Sequence, residues 1–122
     1  MASYLAVVCL YGTAIAQQPT PTKDVGSTLF HSCQQTIRIL DSDSQEQSTA
    51  SDYCIGYFEG MGDVLQFYGS TGLCIKDARV GTIIRVYVAY MQKNPKLLDD
   101  LKIFGVIEAM KDSYSCSAKP VP

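Results

Sequence analysis

Two carboxylates, Glu59 and Asp63, stand four residues apart in the stretch SDYCIGYFEGMGD, residues 51–63. On a helix that spacing puts both on one face, as an acid/base pair requires. Such a pair also needs surroundings that drive the two pKa values apart, and nothing in the stretch supplies them. A solvated face is the better reading. The chain has one histidine, His31, and no tryptophan. It contains no G-x-S-x-G, no H-E-x-x-H and no glycine-rich phosphate loop. No catalytic residue is assigned, and an enzyme is not expected.

The cysteines are the other reactive groups. Cys9 lies near the N-terminus, and Cys33, Cys54, Cys74 and Cys116 follow. No pair has the C-x(2–4)-C spacing of a zinc site, and His31 sits two residues from Cys33 without a partner motif. No metal is expected. Tyr53, Tyr57, Tyr68, Tyr87, Tyr90 and Tyr114 recur on apolar stripes, where packing is a better reading than a cofactor box. No cofactor is expected.

The chain has 122 residues, room for one domain, and a net charge of −2. It has no basic run, which argues against a nucleic-acid partner. MASYLAVVCLYGTAIA, residues 1–16, carries no charged side chain and ends in a small-x-small cleavage pattern. It reads as a secretory signal cleaved after Ala16, in preference to a buried helix. The n-region has only its α-amine for positive charge. Residues 17–25 then form an exposed mature N-terminus, and no apolar stretch is long enough to span a membrane. Four remaining cysteines in a small exported domain point to two disulfides, with three possible pairings.

Four helical segments position these groups. Leu29, Phe30, Cys33, Ile37 and Leu40 make one face over residues 26–40, with Ser27 or Thr28 as the cap. His31, Gln35 and Arg38 take the opposite face. Residues 41–51, DSDSQEQSTAS, form an acidic loop with Ser48, Thr49 and Ser51 as caps for a second helix over 49–68. GSTGL, 69–73, breaks it. Residues 80–93 are rich in β-branched side chains, yet Arg85, Ala89, Gln92 and Lys96 line one side of a helix, and fourteen residues is long for a strand. Asn94-Pro95 stops it. The fourth helix is expected over about 97–114, with Ile103, Val106, Ile107, Met110 and Tyr114 inward and Asp99 and Asp100 in its first turn. Residues 117–122 form a frayed tail.

The expected fold is all-α, a small antiparallel bundle of about four helices. If the third and fourth helices are antiparallel, Cys74 before one meets Cys116 after the other. Cys33 and Cys54 flank the acidic loop at comparable depth. Cys33–Cys54 and Cys74–Cys116 are the expected disulfides.

Gly56, Gly60 and Gly62 interrupt the second helix, where each costs about 0.5–1 kcal/mol relative to alanine. Gly56 and Gly60 fall off the apolar stripe, beside Asp52, Glu59 and Asp63. Gly56, Glu59, Gly60 and Asp63 form a small-residue strip that something packs against closely. A helix of the same chain is the preferred occupant, and a second molecule is the alternative. Leu101 and Phe104 also fall off their helix's stripe.

CIGYFEGMGDVL, LCI, VYVAYMQKNPKLL and VIEAMKDSYSC occur in that order over residues 54–116. They resemble the Rap/Tai family of type VI secretion immunity proteins. The pattern is C-x-G-Y-x-x-G, met at Cys54, Gly56, Tyr57 and Gly60; C-x-P, met at Cys74; Y-L/M-x-x-N/H-P, met at Tyr90, Met91, Asn94 and Pro95; and a final A-L/M-x-x-x-Y/F-P-C, met at Ala109, Met110, Tyr114 and Cys116. Ile75–Ala78 replaces a proline-bearing turn, and Ser115 stands where the pattern has proline. The resemblance implies a periplasmic, all-helical, disulfide-bonded homodimer that occludes the active site of a peptidoglycan amidase effector. A general envelope interaction or stress protein without a toxin partner is the alternative. The protruding segments offer contact residues: Asp41, Asp43 and Glu46 in the acidic loop, and Lys76, Asp77 and Arg79 in the loop 69–79.

Overall fold

The computed structural model describes residues 25–43, 45–68, 72–75 and 77–116, with side chains of 66–68 left out. The expected signal segment, residues 17–24, Lys76 and the tail 117–122 lie outside the described residues. Four α-helices follow in order: α1 (Gly26–Asp41), α2 (Thr49–Tyr68), α3 (Val80–Lys93) and α4 (Lys102–Tyr114). A 3-10 turn, Pro95–Leu98, separates α3 from α4.

α1 is not capped by Ser27 or Thr28. Its cap is Val25, which makes no side-chain cap bond. Instead the Gly26 N–H donates to the Asp100 carbonyl at 2.8 Å, so tertiary contact satisfies a donor that a side chain would otherwise take. Val25 also pairs with Leu101 in an isolated antiparallel bridge. Gly26 is required here, because a Cβ would lie 2.5 Å from the Leu97 carbonyl oxygen. Buried Ser32 and Thr36 donate back along α1, to Thr28 O at 3.0 Å and Ser32 O at 3.1 Å. Both hydroxyls are thus satisfied inside an apolar face.

α2 starts as expected, with Ser48 Oγ accepting from the Ser51 N–H at 3.4 Å. α3 is a helix despite its β-branched residues. Ile83, Ile84, Tyr87, Val88 and Met91 are buried on one face, and exposed Arg85, Ala89 and Gln92 take the other. Asn94 closes it, its Nδ2 donating to Tyr90 O at 2.9 Å, and Pro95 opens the 3-10 turn.

α4 begins later than expected, at Lys102. Asp99 and Asp100 precede it and do not occupy its first turn. The pairing of Val25 with Leu101, and of Gly26 with Asp100, draws that backbone out of helical geometry. The buried face of α4 is Gly105, Val106, Ala109 and Met110, while Ile103 and Ile107 are exposed. Small residues explain the rotation. A Cβ on Gly105 would lie 2.6 Å from Met91 Sδ, so glycine lets α4 approach α3 closely.

α3 lies at the centre of the core. Its start neighbours the end of α1, where Leu40 is the atom nearest Gly81, and Met91 near its end meets Gly26. α3 is therefore antiparallel to α1, and the Gly105 contact and second disulfide make it antiparallel to α4. Phe58 of α2 meets Tyr87 with ring centroids 5.2 Å apart. Burial, with the neighbouring Tyr57 and Tyr53 adding, raises the Tyr87 phenol well above its ordinary value.

Cys33–Cys54 joins α1 to α2 with Cα atoms 5.2 Å apart. Cys74–Cys116 joins the loop before α3 to the end of α4, at 5.1 Å. Both pairings are those expected. In the loop-entropy model each contributes about 3–4 kcal/mol. That is a large share of the roughly 5–15 kcal/mol typical of a folded domain.

Candidate partner-binding surface

Asp41 ends α1 and is held by Arg85 of α3. Arg85 Nη2 donates to Asp41 Oδ1 at 2.6 Å and Nη1 to Oδ2 at 3.4 Å. The Arg85 hydrogen bond holds the Asp41 carboxyl below its ordinary value; slight desolvation opposes this and the guanidinium charge adds to it. Both side chains are exposed, so the pair fixes geometry more than it adds stability. Asp43 follows with a φ of 51°, in the left-handed region that short polar side chains tolerate. Glu46 is exposed further along the same loop.

Asp77 and Arg79 are exposed just before α3, and Lys76 lies outside the described residues. Asp77 and Arg79 line an open cleft of about 1090 Å³ with Thr82, Tyr114, Cys74 and Cys116. The Asp41–Arg85 pair is anchored on the second turn of α3, the helix that Arg79 precedes. The fold therefore brings both proposed contact loops to the N-terminal end of α3. They flank that end as neighbours, and the cited bonds do not fuse them into one cluster.

The strip on α2 is open. A Cβ on Gly56, Gly60 or Gly62 would meet nothing within 4 Å. No helix of the described residues covers it, because α1, through Cys33–Cys54, and α3, through Tyr87 against Phe58, take the Cys54–Phe58 face. Glu59 and Asp63 are exposed. Val64, expected on the inward stripe, is 55% exposed.

Beside the strip runs an apolar groove of about 370 Å³ between α2 and α4, lined by Gly60, Met61 and Val64 on one side and by Ile103 and Ile107 on the other. No Cα of α2 lies within 8 Å of one in α4 among the described residues. Phe104, 51% exposed, and Leu101, 47% exposed, extend the apolar surface of α4. Lys102 links the two helices at their starts. Its Nζ donates to Tyr53 Oη at 2.9 Å and lies 4.9 Å from the Tyr57 ring centroid. Sequence reading flagged Leu101 and Phe104 but missed Lys102, whose hydrogen-bond partner Tyr53 lies 49 residues away.

Among the described residues no three His, Cys, Asp or Glu side chains converge to hold a metal ion. No helix of the described residues is long and apolar enough to cross a membrane. The described surface carries charged loops at one end and an apolar groove along one side.

A family model of Rap1a immunity proteins matches residues 25–116, a span that takes in all four helices and both disulfides. No curated protein and no solved structure matches the chain. The motifs that resemble the Rap/Tai family lie inside the matched span, and the chain belongs to the family of Rap1a immunity proteins.

Proposed function

We propose that this immunity protein works in the periplasm, where it binds a type VI secretion effector with peptidoglycan amidase activity and occludes its active-site cleft. Family membership supports the immunity role. The observation that carries the choice of surface is the meeting of two charged loops at the N-terminal end of α3. A cleft-filling inhibitor needs protruding side chains on a rigid base, and no catalytic group of its own. Two disulfides accord with an oxidising compartment.

A second copy of the chain is the proposed occupant of the α2 strip. Gly56 and Gly60 leave space that nothing among the described residues fills, beside exposed Val64 and Ile107. A twofold pairing would bury that surface on both copies.

Affinity capture with the product of the adjacent gene, assayed for peptidoglycan amidase activity, tests the reading. Asp77→Lys combined with Arg79→Glu should weaken capture about tenfold or more while leaving the melting temperature unchanged. Failure of the folded wild-type protein to capture that amidase would sink it.

A further inference from the structure

The two disulfides occupy opposite environments. Cys33 and Cys54 are both 0% exposed and belong to the core. Cys74 and Cys116 are exposed and line the open cleft, as does Arg79. The segment they secure has modest support otherwise. The Cys74 N–H donates to Tyr114 O at 2.7 Å and the Cys116 N–H to Gly72 O at 2.9 Å, around a single Leu73–Ser115 bridge. Both bonds lie at the surface, where water competes for the same groups. The helices that the disulfide encloses, α3 and α4, are held together independently by buried Tyr87, Met91, Val106 and Met110.

We propose that Cys74–Cys116 is a redox latch: a dithiol reductant opens it selectively, freeing the segment that leads into Asp77 and Arg79 while the helical core persists. The thiolate of the reductant attacks one exposed sulfur. The Cys74–Cys116 bond breaks as a mixed disulfide forms, and one cysteine leaves as thiolate. The second thiolate of the reductant then attacks its own mixed-disulfide sulfur and releases the other cysteine. The reductant ends as a disulfide, and the protein gains two electrons and two protons. A cation in the cleft favours the thiolate form of the departing cysteines, and Arg79 lines that cleft. Cys33–Cys54 is closed to the same attack by its burial. The consequence for the effector rests on the binding surface proposed above: opening the latch frees the tether that positions Asp77 and Arg79 and weakens capture.

The test uses the oxidised, exported protein and graded dithiothreitol. Free thiols are trapped with iodoacetamide and located by peptide mapping, with far-ultraviolet circular dichroism in parallel. Cys74 and Cys116 should be labelled at a dithiothreitol concentration about tenfold or more below that for Cys33 and Cys54. Helical signal should be unchanged at that stage. Simultaneous reduction, prior labelling of Cys33 and Cys54, or loss of helix with the first reduction would each overturn the latch. The Cys74→Ser/Cys116→Ser protein should fold with the same helical signal, and its failure to fold would also overturn it. In amidase capture, the half-reduced protein should bind about tenfold more weakly than the oxidised one. Equal capture by both forms would overturn the latch alone. Absence of capture by either would overturn the effector reading, leaving the labelling to judge the latch.

Discussion

Gly26 and Gly105 are the glycines on which the packing depends, while Gly56 and Gly60 are not used within the chain. Gly26→Ala sets a methyl against a backbone carbonyl that cannot swing aside. It should cost about 1–3 kcal/mol in urea denaturation. Gly105→Ala meets the mobile end of Met91 and should cost less. Gly60→Ala meets nothing, so in dilute monomer it should stabilise by about 0.5–1 kcal/mol through helix propensity. Sequence reading picked the second pair because they interrupt an obvious stripe. It passed over the first pair because clearance at Gly26 and Gly105 is set by residues 97 and 91, remote along the chain. The cysteines were legible, since helix lengths and order alone constrain which ends meet.

Two titrating residues add pH predictions. The Asp41 value is lowered in the folded protein. Its contribution is therefore complete above the ordinary 3.8 and is lost as pH falls below that, through the native value. Asp41→Asn should leave a shallower fall in melting temperature between about pH 5 and pH 2. The Tyr87 value is raised, so its contribution holds below 10.0 and is lost as pH rises above it. Tyr87→Phe should blunt the alkaline loss of stability, read from the same melting curves above that value.

At the scale of elements, Lys102 connects α2 and α4 across a groove that their backbones do not close. The ammonium bonds to Tyr53 and lies against the Tyr57 ring, as well as the Tyr53 ring at 5.4 Å. Lys102→Ala should therefore cost about 1–2 kcal/mol by chemical denaturation. A variant as stable as wild type would mean that the α2–α4 arrangement rests on the core alone. The helices themselves were legible from their periodicity, α3 included, because its polar residues share one side. The start of α4 was not. Asp99 and Asp100 look like first-turn acids, but the bridge from Val25 to Leu101 claims that backbone, and local propensity carries no trace of it. The buried face of α4 was half legible. Val106 and Met110 point inward as expected, while Gly105 and Ala109 displace Ile103 and Ile107 by permitting a closer approach to α3.

For the whole molecule, the proposed contacts fall on two regions of the fold. The proposed effector contacts gather at the N-terminal end of α3, and the proposed self-contact runs along α2 and α4. Because the regions are distinct, their losses should separate. Gly60→Leu should shift sedimentation velocity toward monomer while the isolated chain stays folded, and an unchanged sedimentation coefficient would leave the strip merely exposed. The family was legible from four short motifs held in order, and a match over residues 25–116 shows it. The identity of the toxin is not encoded in that pattern, because an inhibitor carries no copy of its target's chemistry.

The most direct measurement is peptidoglycan hydrolysis by the product of the adjacent gene, the proposed amidase, titrated with the oxidised immunity protein. The account predicts that wild type abolishes turnover at one binding site per enzyme, and that Asp77→Lys with Arg79→Glu restores it. Undiminished hydrolysis in the presence of excess folded wild-type protein would contradict it.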